Sequence, residues 1–155
     1  MFIMKAEVIN PFLESAKLVL QQVIQVSPST GTLAVKSVKP INDHIWIQIG
    51  MTGQLSGNII FGLHEQVAMK IVSAMMGGFT ITELDEMGRS AISELGNMIS
   101  GNAGILLSNQ GVVVDITPPS VVHGEGFTGE MPDKALTIPL LMDGIGELDI
   151  QVLIS

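Results

Sequence analysis

Apolar and polar residues follow two different periods along this chain, and the switches between them divide it into elements. From Pro11 to Val26, the residues Phe12, Leu13, Ala16, Leu18, Val19, Leu20, Val23 and Ile24 recur at helical spacing, which predicts a helix with a buried stripe. Asn10 is expected as its N-cap and Pro11 as its first residue, and Ser27 to Gly31 end it. Three runs of strand character follow, Thr32 to Val38, His44 to Met51 and Leu55 to Leu63, with turn signals at Asn42-Asp43 and Thr52-Gly53. Such short connections predict antiparallel neighbours. The helical period returns from His64 to Met76, where Val67, Ile71, Val72 and Met75 share a face and Gly77-Gly78 supply a left-handed stop. Thr82 is expected to open a long helix running to about Asn109, with Asp85 completing a short-armed capping box. Beyond it, Val112 to Thr117 reads as a strand and the Pro/Gly-rich stretch through about Pro132 as a loop. Leu136 to Met142 and Glu147 to Ile154 read as strands joined around Asp143-Gly144.

The order of elements suggests a duplication. An offset of 80 residues places Asn10, Glu14 and Lys17 on Ser90, Glu94 and Asn97, and Gly31 on Gly111. An offset of 91 places Met51-Thr52-Gly53 on Met142-Asp143-Gly144 and Ile59 on Ile150, so an insertion of 11 residues is expected in the loop near His123 to Met131. The reading is one α+β domain over 1–155 with units at about 7–63 and 82–155, antiparallel sheet packed with long helices and related by an approximate twofold.

Composition narrows the possible activities. At 155 residues the chain can bury a core without disulfide or metal, and only 14% of it is charged, so much of its surface must be uncharged and suited to contact with protein. A net charge of −8 with seven Lys and Arg spread along the chain excludes a nucleic-acid backbone as partner. The absence of cysteine excludes a thiol nucleophile and agrees with a reducing compartment. Glu7, Asn10 and Pro11 interrupt any signal-peptide core, and no run reaches the ~18 apolar residues of a membrane span. A cytoplasmic protein without membrane insertion is expected.

The long helix holds the candidate chemistry. Leu84, Met87, Ala91, Ile92, Leu95, Met98, Ile99, Ala103 and Leu106 gather on the side expected to pack on the sheet. The other side carries Glu86, Ser90, Glu94, Asn97, Gly101, Gly104 and Ser108. Each mid-helix glycine costs about 0.5 to 1 kcal/mol relative to alanine. Gly101 and Gly104 on a polar face therefore call for close approach of something, either a helix of this chain or another protein. Glu94 and Asn97, three apart, project together with Ser90 one turn back. They fit an ordinary solvated face, or a pair acting on one target in which the Asn carboxamide holds a water in line with a phosphoryl group. Other candidates are weaker. His44, His64 and His123 lack paired-ligand spacing, so no metal site is expected. Gly124, Gly126 and Gly129 precede no Lys-Ser/Thr pair, which argues against a nucleotide loop.

The segment Ser90-Ala91-Ile92-Ser93-Glu94-Leu95-Gly96-Asn97-Met98-Ile99 resembles the CheC/CheX/FliY family of chemotaxis phosphatases in its pattern of Asp or Ser, three residues, Glu, two residues, Asn. The family's downstream proline is matched by Pro118 or Pro119, with the spacing off by about a residue. The resemblance spans essentially the whole chain and is strongest to the CheX branch. It implies a CheC-like fold and a phosphatase for the aspartyl-phosphate of a CheY-like response regulator. In that implied role Asn97 positions the attacking water, Glu94 orients the regulator's lysine, and Ser90, Gly101 and Gly104 contact the regulator. It implies no cofactor of the chain's own, with Mg²⁺ brought by the phosphorylated regulator, and a homodimer formed through a sheet edge such as Glu147 to Ile154. The first helix has Glu14 but Lys17 where Asn is needed, so a single competent site is expected. The same fold resembles the middle domain of the flagellar switch protein FliM, which leaves open a non-catalytic docking or dimerisation module.

Overall fold

A computed structural model of the chain describes residues 2–36, 43–124 and 135–154. Its elements run α1 (Phe2–Ile24), β1 (Ser29–Thr30), β2 (Ala34–Lys36), β3 (His44–Gly53), β4 (Gly57–His64), α2 (Glu65–Met75) and α3 (Glu86–Asn109). They continue with β5 (Val114–Ile116), β6 (Ser120–His123), β7 (Ala135–Met142) and β8 (Gly146–Ile154). This is an α+β protein with one antiparallel sheet in the order β1-β7-β8-β4-β3-β5, where β2 also pairs with β7 and β6 with β3.

Alternation along the four long strands sends one set of side chains to the helices. Ile45, Ile47 and Ile49 of β3, Phe61 of β4, Ile138 of β7 and Ile150 of β8 are buried there against Phe12 and Leu20 of α1 and Ile92, Leu95 and Ile99 of α3. Fully burying a side chain of this kind stabilises by about 1.5 to 3 kcal/mol, so the helix-on-sheet layer dominates the core. Trp46 and Ile60 form a smaller cluster on the other face, where Gly62 leaves room for the indole ring.

Several boundaries differ from those expected. Asn10 is not a cap: α1 begins at Phe2 and Pro11 lies inside it. An internal proline costs about 3 kcal/mol, and here Pro11 is buried between the core residues Ile9 and Phe12, whose packing offsets that cost. The long helix starts three residues later than Thr82, because the Asp85 carboxylate accepts from Gly88 N at 2.9 Å and is the N-cap itself. Met87 is exposed, and Leu107 is buried where Leu106 is only half-buried. The α2 stop is as expected, with Gly77 and Gly78 at φ of 80° and 93°.

Of the expected strand Thr32 to Val38 only β2, Ala34–Lys36, is strand, and its last two residues lie outside the described ones; β1 precedes it, within the Ser27 to Gly31 stretch expected only to end the helix. The expected loop after Thr117 contains β6, and most of the expected insertion lies outside the described residues. Glu147 to Ile154 is no edge: β8 sits mid-sheet between β7 and β4, and its apolar residues Leu148, Ile150 and Val152 are buried in the core. Among the described residues, the sheet's edges fall instead at β1/β2 and β5/β6. Among the described residues, no helix is long and apolar enough to cross a membrane.

Candidate functional site

The flanking strands each contain a one-residue bulge. Ile116 pairs with Met51 and Ser120 with Gln48, so Thr117, Pro118 and Pro119 stand opposite only Ile49 and Gly50. At the other edge, Gly31, Thr32 and Leu33 stand opposite Ile138 and Pro139. The first of these bulges turns the chain toward α3. Pro119 meets the helix at Gly96, where a Cβ would lie 3.0 Å from the proline ring and 2.9 Å from Ile47. Glycine at this position lets α3 settle onto β3, and it lies between Glu94 and Asn97.

Glu94, Asn97, Ser90 and Gly101 are all exposed on the outer side of α3. The side of α3 facing α1 is tied elsewhere, by Asn102 Nδ2 donating to Ser15 Oγ at 3.1 Å. Neither α1 nor α2 covers the two glycines. A Cβ at Gly101 would meet nothing within 4 Å, and one at Gly104 would meet only Ile116 Cδ1 at 3.4 Å. Small residues here open a groove of about 410 Å³ between the helix and the bulged strand, lined by Asn97, Ser100, Gly101 and Gly104 on one side and Val114 to Pro118 on the other. Asn97 stands at this groove and Pro118 forms part of its wall.

Among the described residues, neither the Glu94 carboxylate nor the Asn97 carboxamide has a hydrogen-bond or ion-pair partner, although the Asn97 carbonyl accepts from Ser100 Oγ at 3.3 Å. A carboxylate and an amide with open valences, held on a rigid helix, can together grip a target that brings a cation and an acceptor site for water. Gly96, Thr117, Pro118 and Pro119 belong to the same arrangement. The glycine carried a signal in the sequence, a costly residue on the buried side of a helix. Thr117 carried none, because its hydrogen-bond partner lies in a strand far away in the chain.

The histidines gather at the other end of β3. His44 stacks on Trp46 with centroids 5.5 Å apart and meets His64 edge-on at 5.8 Å. Burial and the neighbouring His64 hold the His44 pKa below its ordinary value, partly opposed by Asp43. His64 Nδ1 caps α2 by accepting from Gln66 N at 3.0 Å, and His123 contacts Glu65 at 3.0 Å. Among the described residues, no group of three His, Asp or Glu is placed to hold a metal ion.

An exposed polar pair beside an open groove gives a small molecule no enclosure and leaves both side chains within reach of another macromolecule. Comparison with known proteins gives the family. The sequence profile of the chemotaxis phosphatase CheX matches residues 45–142. The CheY-P phosphatase CheX of Thermotoga maritima is 34% identical over 149 residues, which cover 96% of each chain. A chemotaxis protein CheX from Desulfovibrio desulfuricans superposes with a TM-score of 0.80 at 28% identity, covering 96% of this chain and 99% of that one. The CheX of a CheX-CheY-BeF3-Mg²⁺ complex from Borrelia burgdorferi superposes with a TM-score of 0.75 at 27% identity, over 94% and 96% of the two chains. The chain belongs to the CheX family of chemotaxis phosphatases.

Proposed function

We propose that this protein hydrolyses the aspartyl-phosphate of a CheY-like response regulator, with Asn97 and Glu94 as the residues it contributes. The observation that carries this reading is the exposed Glu94/Asn97 pair, without a side-chain partner among the described residues, at the edge of an open groove. The T. maritima relative is a CheY-P phosphatase, and the B. burgdorferi relative binds CheY with BeF3 and Mg²⁺ present, which supports a receiver that carries its own Mg²⁺. The chain supplies no cofactor.

An aspartyl-phosphate is a mixed acid anhydride and already reactive. Water attacks phosphorus opposite the aspartyl oxygen, the phosphorus–oxygen bond to the carboxyl group breaks, and inorganic phosphate leaves a free carboxylate. What the phosphatase adds is order. The Asn97 carboxamide accepts a hydrogen bond from the attacking water and holds it in line, while Glu94 pairs with the regulator's lysine and fixes it toward the phosphoryl group. Ser90, Gly101 and Gly104 line the face on which the regulator lies.

Lys17 occupies the place of the amide on α1, so one site operates per chain. The domain is a single unit built from repeats at about 7–63 and 82–155, and it forms a homodimer. Since β8 is interior, the β1/β2 edge with its exposed Leu33 and Val35 is the contact we favour, leaving the groove free. A CheY-like substrate implies action in the cytoplasm. To test the reading, the protein is mixed with a phosphorylated receiver from the same genome in Mg²⁺ and phosphate release is followed. Acceleration over the receiver alone is expected, and no acceleration with any such receiver rejects the reading.

A further inference from the structure

The two bulges differ in a way that bears on Asn97. In the bulge beside α3, Thr117 N donates to Gly50 O at 2.9 Å and Gly50 N donates to Thr117 Oγ1 at 2.8 Å. The hydroxyl thus takes the place of the ladder carbonyl that the bulge displaced, and both polar groups of Gly50 stay paired. Gly50 leaves the space for it, since a Cβ there would stand 3.2 Å from Thr117 Oγ1 and Cγ2. The next residues extend the brace. Pro118 walls the groove and Pro119 packs on Gly96, the residue before Asn97. In the bulge at the other edge, Gly31 N donates to Pro139 O at 2.8 Å, but Gly31 has no side chain and Pro139 no N–H, so the return bond does not exist. That edge belongs to the half whose helix carries Lys17.

We propose that Thr117 is a positioning residue for the phosphatase reaction: its hydroxyl, bonded to Gly50 N, fixes the Pro118-Pro119 wall and so the distance at which a docked regulator meets the Asn97 carboxamide. This rests on the function proposed above. Thr117 is exposed, so its replacement opens no core cavity. Thr117→Val keeps the shape and removes the acceptor, Thr117→Ala removes it with less bulk, and Thr117→Ser keeps it.

The test measures kcat and KM for phosphate release from a phosphorylated receiver with these three variants, alongside thermal unfolding. Misplacement by an ångström costs up to about 100-fold, so Thr117→Val and Thr117→Ala are expected to lose about 10- to 100-fold in kcat. KM is expected to change by less than about threefold, because Ser90, Gly101 and Gly104 on the α3 side of the docking face are untouched, and Thr117→Ser to stay within about threefold of wild type in kcat. A hydroxyl-free variant that folds and turns over at the wild-type kcat overturns the inference. So does Thr117→Ser falling as far as Thr117→Val, or a loss confined to KM. Wild-type protein without phosphatase activity overturns the proposed function and this inference together, whereas an active wild type with indifferent Thr117 variants overturns the inference alone.

Discussion

The two long helices share one face of one sheet, yet they present different surfaces. On α3, Glu94 and Asn97 are both exposed, the turns after them hold Gly101 and Gly104, and a groove opens toward the bulged strand. On α1, Glu14 is exposed but Lys17 is half-buried, and Gln21 stands where the offset of 80 residues puts Gly101. The neighbouring bulge is braced by Thr117 on one side and has only Gly31 and Pro139 on the other. On the proposed function, two helices on one sheet differ in side-chain chemistry so that only one carries a site. The lesson is that the amide alone does not define the site. Small residues that admit a partner and a wall that sets its distance accompany it.

Asymmetry of this kind can be broken experimentally. The largest effect is expected from moving the amide: Asn97→Ala lowers turnover by about 10²- to 10⁴-fold, and adding Lys17→Asn to that variant restores none of it, because Gln21 stands on α1 where α3 has Gly101. Recovery of phosphate release in the double variant would show that the amide suffices. Next in size, Gly101→Phe fills the docking face and raises KM about tenfold, without lowering stability, since nothing lies within 4 Å of the new Cβ and a mid-helix glycine is removed. The matched change Gln21→Phe on α1 leaves KM as it was.

Gly96→Ala is expected to cost about 1 to 3 kcal/mol of stability by overpacking against Ile47 and Pro119, read by denaturant unfolding. Gly101→Ala, five residues on, stabilises or is neutral. The smallest effect concerns His44, whose pKa is lowered in the folded state by burial, then by His64. The unfolded chain therefore binds the proton more readily, so stability is full above the unfolded value of about 6.5 and declines as pH falls through it toward the folded pKa. Thermal unfolding of wild type from pH 7.5 to pH 5 should show this decline, and His44→Gln should show less of it.

Much of this was legible in the sequence, and the failures have physical causes. The pair on the long helix, the end of that helix at Asn109, and the β3/β4 and β7/β8 hairpins follow from periodicity and glycine placement. The start of α1 did not, because Asn10-Pro11 carries a strong local capping signal that tertiary burial of Pro11 overrides. The strands β5 and β6 are too short to show alternation, and only pairing with β3 defines them. An apolar final strand read as an exposed edge is the interior strand β8, since apolarity alone does not say which neighbours a strand has. Within the site, Glu94 and Asn97 were visible as a spaced pair. The Thr117 brace was not, because its partner Gly50 is 67 residues away.

In the proposed function, Asn97 has one role, to act on the water and not on the grip. It is tested most directly by measuring two quantities for wild type and Asn97→Ala with one receiver: phosphate release from its phosphorylated form, and affinity for its beryllofluoride-loaded form in Mg²⁺. Asn97→Ala is expected to bind within about threefold of wild type while its acceleration of phosphate release is lost. Asn97→Ala releasing phosphate at the wild-type rate, or losing turnover only in proportion to lost binding, would contradict it.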